Sequence, residues 1–150
     1  MSVFPDFLYR LTPRDQQIIP IELVQQKLTI NDTAVDVQTP AYVVPLGRML
    51  ILTAVTLQCT PGATAVPNWL QFAMFNRGDT VTNKFVIIGR DFEARVPNTG
   101  QITYGGEFTN PMIPEGSSLV GIGNFTNAVA ANDMQVFFMG YLIPRGEIAV

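Results

Sequence analysis

Histidine is absent from this 150-residue chain, and cysteine occurs once, at Cys59. Without an imidazole the chain has no Ser-His-Asp or Cys-His catalytic arrangement, no His-ligated zinc or iron, and no histidine pH switch. A single thiol excludes an intrachain disulfide and a cysteine-based metal cluster. We expect Cys59 to behave as a small buried hydrophobe at the end of a strand.

Charged residues are also scarce. They make up 14% of the chain, where about 25% is typical of soluble domains. The nine basic residues are scattered, so the basic stripe that nucleic-acid binding requires is missing. An exterior of uncharged polar and apolar groups is typical of a subunit that covers much of itself with neighbours. We therefore predict a homo-oligomer, and an unusually neutral monomer is the alternative.

Membrane, export and cofactor signals are missing from the sequence as well. The longest apolar-rich run, Met49–Leu57, has about half the length that spans a bilayer. The first residues, Met1–Asp6, lack a basic segment followed by an apolar stretch, so we expect no signal peptide. No phosphate-binding glycine loop of the Walker or dinucleotide type is present. We therefore expect no membrane partner and no cofactor.

Residues 1–20 differ from the rest of the chain, because prolines interrupt them and their apolar side chains follow neither a helical nor a strand period. The large apolar side chains of this segment are Phe4, Phe7, Tyr9 and Leu11. We predict an extended N-terminal arm that reaches up to about 60 Å when fully stretched. These four side chains are the predicted partner-binding residues, and the alternative is a short tail packed on its own domain.

From residue 21 to residue 150 the sequence predicts a single β-sandwich domain. Short runs rich in Val, Ile, Thr, Phe and Tyr are each closed by Pro, Gly, Asn or Asp. The predicted strands are 22–30, 33–38, 42–44, 48–58, 68–75, 84–96, 101–108, 119–126 and 134–143. This spacing indicates an all-β, antiparallel sandwich of about eight strands, with a jelly roll favoured and no helix longer than two turns. Because the run Arg48–Gln58 is apolar nearly throughout, we expect it to be covered on both faces.

The best candidate for catalysis is a carboxylate pair, Asp91 and Glu93. Two residues apart on a strand, they point to the same face about 7 Å from each other, a spacing that could serve acid–base chemistry on a sugar. Arg90 and Arg95 lie alongside them, so the favoured interpretation is a solvated strand face. No catalytic residue is predicted, and the chain is not expected to be an enzyme.

Two further motifs favour structural interpretations. Arg77–Asp79 spells the integrin-binding tripeptide, but a Gly-Asp pair between two strands is first of all a hairpin turn. A calcium site from Asp32, Asp36 or Asp133 with backbone carbonyls is conceivable, yet no acidic spacing matches a known calcium loop. No metal is therefore predicted.

Two aromatic residues, Trp69 and Tyr104, are candidate stacking platforms for a carbohydrate. Trp69 lies inside an apolar strand, so we expect its ring to pack in the core instead. A glycan-binding module remains the second hypothesis for function.

Two segments of the last third carry a resemblance: Asn110-Pro111-Met112-Ile113-Pro114-Glu115-Gly116-Ser117-Ser118-Leu119-Val120 and Met134-Gln135-Val136-Phe137-Phe138-Met139-Gly140-Tyr141-Leu142-Ile143-Pro144. They resemble the closing strand pair of small jelly-roll proteins in tailed bacteriophage virions, such as capsid decoration (cement) proteins and tail or fibre modules. The resemblance implies a virion structural protein that docks on the major capsid protein or other virion subunits, with a trimer as the favoured assembly. No functional residue is carried over, because decoration proteins bind through broad surfaces.

The alternative that this resemblance leaves open is a phage tail or fibre module, or a carbohydrate-binding β-sandwich that recognises a host surface. Under the leading hypothesis the protein is made in the host cytoplasm and resides in the virion.

Overall fold

The described part of the chain consists of strands, turns and loops, and none of it is α-helical. The computed structural model describes residues 21–62, 65–80, 83–92, 102–106, 111–126 and 130–145, with the backbone alone described at 102–106. Its strands are β1 (Glu22–Asp32), β2 (Asp36–Gln38), β3 (Tyr42–Val43), β4 (Arg48–Thr60), β5 (Val66–Phe75), β6 (Phe85–Asp91), β7 (Ile102–Gly106), β8 (Met112–Ile113), β9 (Ser118–Thr126) and β10 (Asn132–Pro144). The predicted all-β class is confirmed.

The strands form two antiparallel sheets. Sheet A has the order β1-β10-β4-β7, and β8 pairs with β4 on the same side as β7 but nearer the start of β4. Sheet B has the order β2-β9-β5-β6, and β3 also pairs with β9. The longest pairing joins β4 and β10 at the centre of sheet A. Every strand pair that the structure describes is antiparallel, as predicted.

The core lies between the two sheets, where alternate residues of each strand face inward. Leu50, Leu57, Phe72 and Phe138 are essentially inaccessible to solvent. The rings of Phe72 and Phe138 lie 5.4 Å apart between centroids and join the two sheets. Burying one such side chain contributes about 1.5–3 kcal/mol. The period-two alternation of the sequence therefore becomes one dry layer between the sheets.

The prediction that β4 is covered on both faces is wrong. Its inward side chains are buried, but Thr53 and Ala54 are exposed and the other outward residues are at best half-buried. Near this point Ala54 pairs with Met139 while Leu52 pairs with Gly140, so Thr53 is an extra residue in a β-bulge. The outward-facing residues of β4 include apolar side chains because they belong to the outer face of sheet A, and that face is partly apolar.

Candidate interaction surface

The predicted carboxylate pair is only half described. Asp91 is exposed at the end of β6, where it pairs with Trp69 of β5, and Glu93 lies outside the described residues. After Asp91 the strand stops, and the backbone N–H of Phe92 donates to the carbonyl of Asn68 at 2.8 Å. The described part of this region therefore places one exposed carboxylate at a sheet edge.

The Arg77–Asp79 tripeptide is a turn, as expected. The backbone N–H of Asp79 donates to the carbonyl of Asn76 at 2.9 Å, and Gly78 has a φ of 85° that suits glycine. All three residues are exposed.

The three aspartates considered for calcium, Asp32, Asp36 and Asp133, each have a hydrogen-bond partner. Among the described residues, no group of three or more His, Cys, Asp or Glu side chains could hold a metal ion. Each carboxylate accepts a different hydrogen bond: Asp32 from the backbone of Ala34, Asp36 from Asn124 and Asp133 from Gln135. These hydrogen bonds give each aspartate a structural role in a turn or a strand.

Cys59 is fully buried near the end of β4, as predicted. Burial, assisted by the negative charge of Asp133, raises the pKa of the Cys59 thiol to about 12. The thiolate is the reactive form, so this cysteine is inert near neutral pH.

Trp69 does not enter the core between the sheets. It alternates with the buried Leu70 and therefore lies on the outer face of sheet B, half-buried against a small cluster that contains Ala73, Val120 and Ile122. The ammonium of Lys84 lies 5.4 Å from the centroid of the indole ring. The expected packing of the ring against buried apolar residues is therefore found on the outer face of sheet B and not in the layer between the sheets. The side chain of Tyr104 lies outside the described residues.

The clearest surface feature is a row of apolar side chains across the outer face of sheet A. The strand register places Leu23 of β1, Tyr141 of β10, Ile51 of β4 and Met112 of β8 side by side. Leu23 is 55% exposed, Tyr141 43% and Met112 54%, while Ile51 is half-buried between them. Four neighbouring strands thus present one continuous apolar row to solvent.

Two more residues of β10 extend this row along the strand. Phe137 and Met139 alternate with the buried Phe138 and are both exposed on the outer face. We call the resulting surface the apolar face, and it consists of Leu23, Ile51, Met112, Phe137, Met139 and Tyr141. Isolated exposed hydrophobic residues are common on proteins, whereas contiguous patches mark interaction sites.

The apolar face ends where the outer face of sheet A becomes polar. Lys27 pairs with Phe137 and places its ammonium 5.3 Å from the centroid of that ring. Beyond this pair the outward residues include Thr29, Gln58 and Gln135. Lys27 is a charged residue on the outward side of β1 at this border, and its alkyl stem can cover apolar surface.

A groove of about 450 Å³ continues the apolar surface around the edge of the sandwich. Met112 lines it together with Met74, Phe85, Val86 and Ile113. Phe85, at the start of the edge strand β6, is 67% exposed. The apolar face and this groove therefore share Met112 and form one surface.

The predicted partner-binding residues Phe4, Phe7, Tyr9 and Leu11 lie outside the described residues. Sequence reasoning also missed the apolar face. Its signal was a final strand in which both alternating sets are apolar, with Phe137, Met139 and Tyr141 opposite the buried set. Such a strand is normally interpreted as buried on both sides.

No protein-family model matches the chain, and a search of curated proteins finds no significant match. Nowhere in the described ranges is there a helix of the length and apolar character needed to cross a membrane.

Proposed function

We propose that this chain is a structural subunit that assembles with other protein subunits through the apolar face. The row Leu23–Tyr141–Ile51–Met112 carries the proposal, because four adjacent strands expose apolar side chains with no charge among them. Moving a surface of this composition out of water costs little free energy, because no ion within it has to be desolvated. Its natural occupant is another apolar protein surface.

The hydrophobic effect sets the scale of such an assembly. Burying 1,000 Å² of apolar surface corresponds to a gross gain of about 25 kcal/mol, from which the costs of association are subtracted. A structural subunit needs this gain in free energy and a stable fold that holds its docking surface in place. It does not need a catalytic centre. The two-sheet core supplies that stable fold.

The architecture that we propose within the sandwich is a jelly roll. If β2 and β3 are counted as one interrupted strand, and β7 and β8 as another, eight strands remain. Sheet A then combines the first, third, sixth and last strands, and sheet B the second, fourth, fifth and seventh. An eight-stranded arrangement in two Greek keys is the pattern of jelly rolls in viral capsid proteins and lectins.

The specific role that we propose is that of a capsid decoration, or cement, subunit of a phage virion. It rests on the resemblance of residues 110–120 and 134–144 to small virion jelly rolls, and the partners would be the major capsid protein or other virion subunits. A homotrimer is the favoured assembly. The apolar face supports this role as a broad docking surface of the kind that decoration proteins use.

The test is a charge placed on the apolar face. We expect Tyr141→Lys to reduce self-association or binding to capsid particles by about 30-fold or more, because a lysine would have to be desolvated at the centre of the contact. Val43→Lys is the matched control, since Val43 is an exposed apolar strand residue, 53% exposed, on sheet B. Light scattering and particle co-sedimentation measure the two effects. Equal behaviour of both variants would contradict the proposal.

A second candidate function is glycan binding on the outer face of sheet B. Trp69 favours it, because its ring lies outside the inter-sheet core with the cation of Lys84 beside it. An indole ring on an outer sheet face is a platform on which a sugar ring can stack. A glycan array probed with the intact chain and with Trp69→Ala tests this function, and binding that survives the substitution would contradict it.

A further inference from the structure

The apolar face lies at the end of sheet A where the arm joins the domain. We propose that residues 4–11 of one copy of this chain bind the apolar face of a neighbouring copy, an inference that rests on the proposed function. β1 begins at Glu22, and the second residue of that strand, Leu23, already belongs to the apolar face. The preceding residue, Ile21, is 65% exposed, so the apolar surface continues to the point where the arm begins.

The arm segment is long enough to cover the face. Phe137 and Tyr141, the outermost face residues on β10, are four residues apart, which corresponds to about 13 Å along the strand. Phe4 and Leu11 are seven residues apart, which corresponds to at most about 23–25 Å in an extended chain. Across the sheet, the row from Leu23 to Met112 spans four strands, or about 14 Å. An extended segment of eight residues therefore covers the face from end to end.

The side chains of the arm suit the face chemically. Phe4, Phe7, Tyr9 and Leu11 offer three aromatic rings and a leucine, while the face offers two methionine thioethers that pack well against aromatic rings. Between these residues the arm carries one anion, Asp6, and one cation, Arg10, so the segment has no net charge to desolvate. Pro5 lowers the entropy that the segment loses when it is ordered.

The direction of β1 favours a neighbouring copy over the chain's own face. Glu22 pairs with Leu142 near the end of β10, so the chain enters β1 from beyond the end of the sheet. To reach its own apolar face, the arm would have to reverse direction between Leu11 and Ile21. Residues 16–20 read Gln-Gln-Ile-Ile-Pro, with no glycine, asparagine or aspartate to favour a reversal. Pro20 restricts Ile19 to extended conformations.

The spacer between the arm segment and β1 is long enough for the arm of one copy to reach a neighbouring copy. Leu11 and Ile21 are ten residues apart, which allows a reach of up to about 33–36 Å. Each copy then gives an arm to one neighbour and receives an arm from another. A head-to-tail contact of this kind closes into a ring when its rotation allows, which is consistent with the proposed trimer.

Complementation between two full-length variants tests the inference. The arm variant replaces Phe4, Phe7, Tyr9 and Leu11 with serine, and the face variant carries Tyr141→Lys. We expect each variant alone to associate at least about 30-fold more weakly than the unmodified chain. When the two are mixed, the intact arm of the face variant meets the intact face of the arm variant, and a mixed complex forms. Analytical ultracentrifugation with one variant labelled measures it.

Every outcome is decisive. A mixed complex from two weakly associating variants supports the exchange of arms. If the arm variant associates like the unmodified chain while Tyr141→Lys does not, the inference is overturned and the proposed function stands. If neither variant changes association, both fail. A mixture that forms no complex, or an unmodified chain that is monomeric at the highest attainable concentration, overturns the exchange in favour of an arm bound within one chain. Near-UV circular dichroism verifies that both variants are folded.

Discussion

At the scale of single residues, close approach between strands decides which side chain is tolerated. Gly140 lies in β10 beside the bulge of β4, and a Cβ atom there would meet the carbonyl oxygen of Ile51 at 2.4 Å. A backbone carbonyl in a paired strand cannot move aside without breaking the pairing. By contrast, a Cβ at Gly89 on the edge strand β6 would first meet the flexible side chain of Gln71, at 3.1 Å.

We predict that Gly140→Ala destabilises the fold by about 1–3 kcal/mol, the usual cost of overpacking. Gly89→Ala is the matched control and should cost less than about 1 kcal/mol, because its new methyl would come no closer than 3.1 Å to the Gln71 side chain and 3.3 Å to the Leu70 carbonyl oxygen. Urea unfolding followed by tryptophan fluorescence measures both variants. Equal losses for the two would contradict the close approach at Gly140.

Cys59 gives the fold a specific response to alkaline pH. Because burial raises the pKa of the folded-state thiol from 9.0 to about 12, the unfolded chain ionises first as the pH rises. The unfolded state then binds fewer protons than the folded state, so the free energy of unfolding falls between about pH 9 and pH 12.

We predict that Cys59→Ala reduces this alkaline loss, since alanine has no proton to release. Urea unfolding of both proteins at pH 8 and pH 10.5 provides the comparison, and the variant should show the smaller fall between the two. At pH 8 the variant is expected to be less stable because it leaves a small cavity. Parallel falls in both proteins would contradict the raised pKa of Cys59.

At the scale of elements, a polar ladder attaches the short strand β2 to sheet B. β2 has only three residues, Asp36–Gln38, and pairs with β9. The side-chain amide of Asn124 donates to the Asp36 carboxylate at 2.5 Å, and the oxygen of the same amide accepts from Asn68 at 2.7 Å. Asn124 therefore joins three strands, β2, β9 and β5, on the outer face of the sheet.

We predict that Asn124→Ala lowers the stability of the fold by about 1–3 kcal/mol, because both side-chain hydrogen bonds are lost together. The substitution should also speed up deuterium exchange of the β2 amide protons more than that of the β4 amide protons, since β2 depends most on this ladder. Gln25→Ala, a change at an exposed polar residue of β1, is the control and should have little effect. Unchanged exchange in β2 would show that backbone pairing alone holds it.

At the scale of the whole molecule, the two outer surfaces of the sandwich differ. Sheet A exposes the apolar face, whereas sheet B carries the polar ladder and the half-buried Trp69. The apolar face is the one of the two that exposes a row of apolar side chains across four strands. Association through it should therefore depend on the hydrophobic effect more than on Coulomb attraction.

We predict that the association constant changes by less than about threefold between low salt and roughly 1 M sodium chloride, where the Debye length is about 3 Å. Assembly should also show a negative heat-capacity change, the mark of apolar burial. Sedimentation equilibrium and isothermal calorimetry measure the two quantities. A loss of affinity of tenfold or more with added salt would indicate an electrostatic interface elsewhere on the molecule.

The sequence alone determined the class of the fold and most of its strands. β1, β5, β9 and β10 begin and end within a few residues of their predicted bounds, because alternation and turn residues are local signals that need no knowledge of the partner strand. Local chemistry also predicted the turn at Arg77–Asp79 and the buried state of Cys59.

Only the tertiary structure decided which apolar residues face solvent. The outward residues of β4 and the indole of Trp69 were expected in a covered position, yet they lie on outer faces of the sheets. The row Leu23–Tyr141–Ile51–Met112 combines four segments that are distant in sequence. Strand order and register bring them together, and both arise from long-range pairing that no local pattern encodes.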